Sequence, residues 1–173
     1  MGIGSCGVLL ALVWRLWNDY NGGRPIAIVE SLNAGVRLRA HEVDMNNYTG
    51  LIIVVSPACG FSRTFWNEAS RDSEFLRLLA TNSHFIADTW TDTTHDTLAN
   101  HAARSPDMPF NIVHKRVDWP EVHKWSSPMF HALKNGDVVS VKEGWPKQSE
   151  TYARVKSYAR RAGPSTLAVE DNN

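Results

Sequence analysis

Three features of this 173-residue chain predict a mixed α/β domain: a central sheet with flanking helices, behind an N-terminal extension. The first is Leu51-Ile52-Ile53-Val54-Val55, a continuous apolar run rich in β-branched residues, which reads as a strand buried on both faces. The second is the order of segments around it, strand-like and helix-like in alternation, as one sheet with helices packed on it requires. The third is Asn135-Gly136 between two strand-like runs. That pair is the strongest short hairpin signal, because both central residues of a type I′ turn need φ > 0.

In chain order, residues 7–17 form an apolar run interrupted by Arg15. The run is too short for a membrane span and resembles the core of a signal segment. No Lys or Arg precedes it, however, and no A-x-A site follows. An exported or anchoring segment and an amphipathic helix packing on the domain are the two readings. Met1-Gly2 with Cys6 hints at lipidation but lacks the Ser or Thr expected at the sixth position. Asn21-Gly22-Gly23-Arg24-Pro25 is a breaker cluster, so we expect an N-terminal apolar helix over 1–24, a domain over 25–163 and a flexible tail over 164–173.

Residues 25–30 are ambiguous between strand and helix, whereas 36–43 alternate as a half-exposed edge strand does. After Cys59 a helix should run to about residue 80, with a break at Asp72-Ser73. Phe65, Ala69, Phe75, Leu76 and Leu79 supply its inward face. A strand over 84–90, a short helix over 95–104 begun by capping residues at 91–94, and a strand over 110–117 should follow. Residues 119–125 read as a turn. The hairpin over 129–142 comes next, and Gly144-Trp145-Pro146 should open a last helix that Gly163-Pro164 ends. Tyr152, Val155, Tyr158 and Ala159 form that helix's apolar face.

Composition narrows the function. Lys+Arg and Asp+Glu balance at 18 each, so no global charge points to nucleic acid or to an anionic membrane surface. Two cysteines, Cys6 and Cys59, exclude a disulfide framework and a four-cysteine zinc site. The seven histidines have no ligand-like spacing, His95 and His101 being six apart, and no metal is expected. No Ser-His-Asp order, phosphate loop or nucleotide fingerprint is visible. The seven tryptophans fit core and cleft lining.

What stands out is Cys59, placed where the buried strand gives way to a helix. There an α/β sheet presents its chemistry, and a helix N-terminus stabilises a thiolate and lowers its pKa.

Four features together give the chain a resemblance to thioredoxin-fold proteins over about residues 36–162. Cys59-Gly60-Phe61-Ser62 stands in that family's active-site position, and Ser127-Pro128 stands where the family has its cis-proline. The 129–142 hairpin and Glu143-Gly144-Trp145-Pro146 with the last helix complete the pattern. The resemblance implies a thioredoxin-like fold, with Cys59 and Ser62 as the catalytic pair of positions. It also implies that Gly60, Phe61, Ser127 and Pro128 line a groove for an extended substrate. Phe61, Trp125 and Trp145 can each be read as a groove aromatic or as a core side chain.

The family's dithiol chemistry needs a second cysteine to resolve the mixed disulfide, and here that position is Ser62, whose hydroxyl can only hydrogen-bond the thiolate. Monothiol exchange, isomerisation or mixed-disulfide capture of a protein partner is therefore expected, in an extracytoplasmic setting, periplasmic or anchored through the N-terminal segment. A cytoplasmic protein is the alternative. A non-catalytic thioredoxin-fold binding module is a second function.

A third comes from Pro57-Ala58-Cys59-Gly60-Phe61-Ser62, which is similar to the motif of monothiol glutaredoxins and would imply glutathione and an iron–sulfur cluster. The upstream lysine and the glycine–aspartate loop after the hairpin are missing from this chain. Apart from the glutathione and cluster of that reading, no cofactor is expected.

Overall fold

A computed structural model describes residues 24–32, 35–88, 95–105, 108, 110–113, 115–145 and 149–161. Seven strands form one sheet: β1 (Arg24–Leu32), β2 (Gly35–Val43), β3 (Gly50–Val54), β4 (Ser83–Asp88), β5 (Phe110–Val113), β6 (Met129–Lys134) and β7 (Asp137–Glu143). Their spatial order is β2-β1-β5-β4-β3-β6-β7. The three central strands, β3, β4 and β5, run parallel, and the pairs outside them are antiparallel. The helices are α1 (Gly60–Ala69), α2 (Ser73–Asn82), α3 (His95–Arg104) and α4 (Ser149–Arg161).

Pairing decides what the local sequence leaves open. Residues 25–30 become strand because β1 is bonded on both sides, to β2 from Arg24↔Val43 to Leu32↔Gly35 and to β5. β2 is the sheet edge, as its alternation predicts. The break after α1 falls where Asp72 and Ser73 suggest it. The Asp72 carboxylate accepts the Phe75 N–H at 2.9 Å and caps α2, satisfying one of the donors a helix start leaves open.

At the hairpin, Asn135 and Gly136 both have positive φ, 52° and 84°, as the type I′ turn demands. Gly136 has a second reason to be glycine. A Cβ there would meet the carbonyl oxygens of Met45 and Asn46 at 2.7 Å.

The core divides into two clusters, one on each face of the sheet. Among the described residues, all the core side chains from helices fall in the first: Phe65, Trp66 and Ala69 of α1, Phe75, Leu78 and Leu79 of α2, Ala102 of α3, Val155 and Ala159 of α4. They pack on Leu51, Ile53, Phe85, Ile112 and Phe130.

Handedness explains this sidedness. The chain steps from β3 to β4 to β5 in one direction, and parallel crossovers of one hand put their helices on one face. It must then return past β4 and β3 to reach β6, and residues 115–128 make that return. Val122 and Trp119, the latter the largest of the fully buried side chains, join Ile52, Ile86, Val113 and Met129 in the second cluster. The expected strand over 110–117 is therefore shorter. It ends at Val113 and gives way to a 3-10 turn at Arg116–Asp118, because the chain has to fold back and lay Trp119 on the sheet.

α4 begins at Ser149 rather than at Gly144-Trp145-Pro146. It docks on α2, where Asn82 donates to the Ala159 carbonyl at 2.8 Å and Lys156 pairs with Asp72 and Glu74 at 2.7 and 2.9 Å. The expected N-terminal helix, the capping residues 91–94, the Gly163-Pro164 stop and the 164–173 tail lie outside the described residues. Among those described, no helix is long and apolar enough to cross a membrane.

Candidate functional site

The register of the sheet sets the site. Val54, the last residue of β3, lies opposite Met129, the first of β6. The segment leaving β3 (Ser56-Pro57) and the segment entering β6 (Ser127-Pro128) are thereby brought to the same place. Cys59 follows within one turn, its N–H donating to the Ser56 carbonyl at 3.0 Å. It is the N-cap residue of α1, with extended backbone (φ −77°, ψ 126°), and its carbonyl accepts the Arg63 N–H at 3.0 Å. No side chain caps this helix and no acidic residue stands in its first turn, so the amides there remain available to a thiolate. The Ser127–Pro128 peptide bond is cis, as the resemblance implies.

The Cys59 thiol is part-buried and donates to the Ser127 carbonyl at 3.2 Å. Burial works to raise its pKa, but the Ser62 N–H, the Ser127 hydroxyl, the Phe61 N–H and the Ser62 hydroxyl together outweigh that effect. The thiol lies below its ordinary value. The direction is the one the sequence leads us to expect.

Ser62 does more than contact the thiol. It is fully buried, its Oγ accepts the Ser56 N–H at 3.2 Å and it lies 2.5 Å from the Ser127 hydroxyl. The hydroxyl chiefly ties the two segments together, and its direct effect on the sulfur is the smallest of the four donors.

Gly60 and Phe61 form the exposed rim, Phe61 with 66% of its surface accessible, and Pro128 is buried behind Cys59's neighbour Ser127. Trp145 is no groove residue. It lies in the core, edge-on to Phe65 at 4.8 Å, with its indole N–H donating to Glu68 at 2.6 Å. Trp125 is half-buried against the second cluster, with Arg116 over its ring at 5.6 Å.

The histidines divide by burial. His84 lies beside Tyr48 and His101 beside Trp66, while His123 is exposed. His131 is fully buried in β6. Among the described residues no group of three or more His, Cys, Asp or Glu could hold a metal.

Two features escape the sequence. Ser56 carries the backbone donor that positions Ser62; its only signal is its place before Pro57 at a strand end. A groove of about 300 Å³ also opens between α1 and α3, lined by Pro57, Arg63, Asn67, Asn100 and Arg104 among others. It exists only because α3 packs beside α1, a contact between segments far apart in the chain.

The fold is a thioredoxin-like α/β arrangement: strand, Cys-led helix, parallel strand, cis-proline, antiparallel hairpin and terminal helix around one sheet. No protein-family model matches the chain, and no curated protein does. Among solved structures, one described as "Solution Structure of a Thioredoxin-like Protein in the Oxidized Form" aligns with 82% of this chain and 98% of its own. The identity is 12% and the TM-score 0.45.

Proposed function

We propose that this protein engages protein disulfides through one thiol, Cys59, by monothiol exchange. The observation that carries the reading is the place of the sulfur: Cys59 is the N-cap of α1 with no side chain capping that helix, beside the amides of Phe61 and Ser62 and a bonded pair of hydroxyls, Ser62 and Ser127, that keeps one proton to donate. Such donors favour the anionic nucleophile that exchange requires.

In the proposed step the Cys59 proton passes to solvent and the thiolate attacks one sulfur of the partner's disulfide. That S–S bond breaks, a new one forms to Cys59, and the other partner sulfur leaves as a thiolate that takes up a proton. Ser127 and Pro128 would bound the groove in which the partner's extended chain lies. Ser62 cannot attack the mixed disulfide, so release waits for a thiol of the partner or of another molecule. Attack by a partner thiol gives isomerisation, and its failure gives capture. This chemistry belongs where disulfides persist, as in extracytoplasmic compartments.

The test is the pH dependence of Cys59 alkylation, followed by peptide-resolved mass spectrometry so that Cys6 is scored separately. A midpoint below that of a free thiol, with Cys59→Ser abolishing mixed disulfides to a model protein disulfide, is expected. A midpoint at or above the free value, with slow alkylation, would leave a non-catalytic thioredoxin-fold binding module instead.

A further inference from the structure

The groove between α1 and α3 adjoins the thiol without being part of it. Pro57 and Arg63, on the loop and first turn that carry Cys59, form one side, and Asn100 and Arg104 of α3 belong to the other. Among the described residues its lining contains two guanidinium groups and no carboxylate. Neither Arg63 nor Arg104 forms an ion pair or a side-chain hydrogen bond with another described residue, and both side chains are exposed.

The Arg63 guanidinium folds back along α1, reaching within 3.9 Å of where a Cβ on Gly60 would sit. It therefore stands beside the residue that follows the cysteine. Asn67 and Asn100 add amide donors to the wall. In a chain of zero net charge this is a local concentration of positive charge, and no described carboxylate pairs with either guanidinium. Guanidinium forks match carboxylates in shape and charge.

We propose that this groove is a recognition subsite for an acidic peptide segment, one bearing Asp or Glu side chains close in sequence to the cysteine that Cys59 engages. The inference rests on the exchange reading above and adds to it the class of partner: a disulfide flanked by carboxylates. A segment lying past Phe61 would enter the groove beside Arg63 and place its acidic side chains toward Arg104. The subsite orients the partner and selects it, while the sulfur does the chemistry.

The test uses the full chain and three synthetic peptides. Two are disulfides of equal length, one flanked by glutamates and one by glutamines. The third carries the glutamates with serine in place of cysteine. The readouts are the rate of mixed-disulfide formation at Cys59 and the fluorescence anisotropy of the cysteine-free peptide.

Two exposed guanidinium–carboxylate contacts should favour the glutamate disulfide by about twofold to thirtyfold at low salt. The preference should fade near 1 M salt, where screening acts within about 3 Å. The double reversal Arg63→Glu with Arg104→Glu should bring the ratio below one. Because both side chains are exposed, circular dichroism should show both variants folded, and Arg104→Gln alone should lower the ratio part of the way.

Equal rates for the two disulfides in the unmodified protein, or a ratio that charge reversal leaves in place, would overturn the subsite while leaving exchange intact. Anisotropy that reports binding lost on charge reversal, with no reaction of either disulfide, would support the subsite and remove the exchange reading.

Discussion

Ser62→Ala is the most direct perturbation of the site. The hydroxyl it removes is fully buried and accepts the Ser56 N–H while contacting the Ser127 hydroxyl. Alanine fits the space, so no clash arises. The Ser56 N–H, however, loses its acceptor in a place water does not reach. An unsatisfied buried donor costs about 1–3 kcal/mol. Taking about 2 kcal/mol, a domain of this size should lose about 4–8 °C in Tm.

Urea denaturation should show a lower midpoint with an unchanged slope, the sign of a change in stability without a change in exposed surface. The thiol supplies a second readout. The Ser127 hydroxyl outranks the Ser62 hydroxyl among the groups that lower the Cys59 pKa. Ser127→Ala should therefore raise the thiol's titration midpoint more than Ser62→Ala does. A stability loss under about 0.5 kcal/mol, the scatter of ordinary surface changes, would refute the bridging role assigned to Ser62. A reversed order of the two thiol midpoints would refute the account of how the sulfur is held.

Three more outcomes follow from other residues. Ser62→Cys should form an internal disulfide with Cys59 under oxidising buffer, since the two positions lie three residues apart at the start of one helix; two free thiols at these positions on mass spectrometry would count against the helix start described. His131 is fully buried and its pKa is pushed down to about 4 by that burial, which the Ile52 backbone offsets only in part and to which His123 adds. The unfolded imidazole titrates near 6.5, so the unfolded state binds the proton first and stability should fall as pH drops from about 6.5 toward 4. His131→Leu should flatten that slope in pH-dependent denaturation, leaving the smaller part due to His101, which burial shifts the same way. Gly136→Ala should destabilise the protein by more than about 1 kcal/mol, from the positive φ and from contact with the Met45 and Asn46 carbonyls, and equilibrium unfolding checks it.

Much of this arrangement is legible in the letters. The apolar run at 51–55, the break at Asp72 and the Asn135-Gly136 turn are local signals, and each produces the element it announces. The juxtaposition of Cys59 with Ser127 and Pro128 is not local. It follows from the antiparallel register of β6 on β3, which the letters supply only through likeness to a known fold.

Residues 25–30 are undecidable alone because their state depends on partners on both flanks. The strand expected over 110–117 ends early because Trp119 needs a surface to cover. Trp145 stays open in the letters because a tryptophan near a site motif reads alike whether it lines a cleft or fills a core. The α1–α3 groove is invisible for the same reason that β6 is hard to place. Arg63 and Arg104 are unremarkable until two helices lie side by side.

The return segment 115–128 ties the interior to the sulfur. Its middle covers the face of the sheet on which no described helix packs, with Trp119 and Val122, and its end presents Ser127 to Cys59. The two tasks share one backbone, so that face and the thiol's hydrogen bonds loosen together. Warming or mild denaturant that frees the Trp119 indole would withdraw Ser127 from the sulfur before the parallel strands separate. Cys59 would then titrate more like a free thiol while the rest of the sheet is still intact. The lowered pKa of this thiol therefore lasts only as long as this one closure holds.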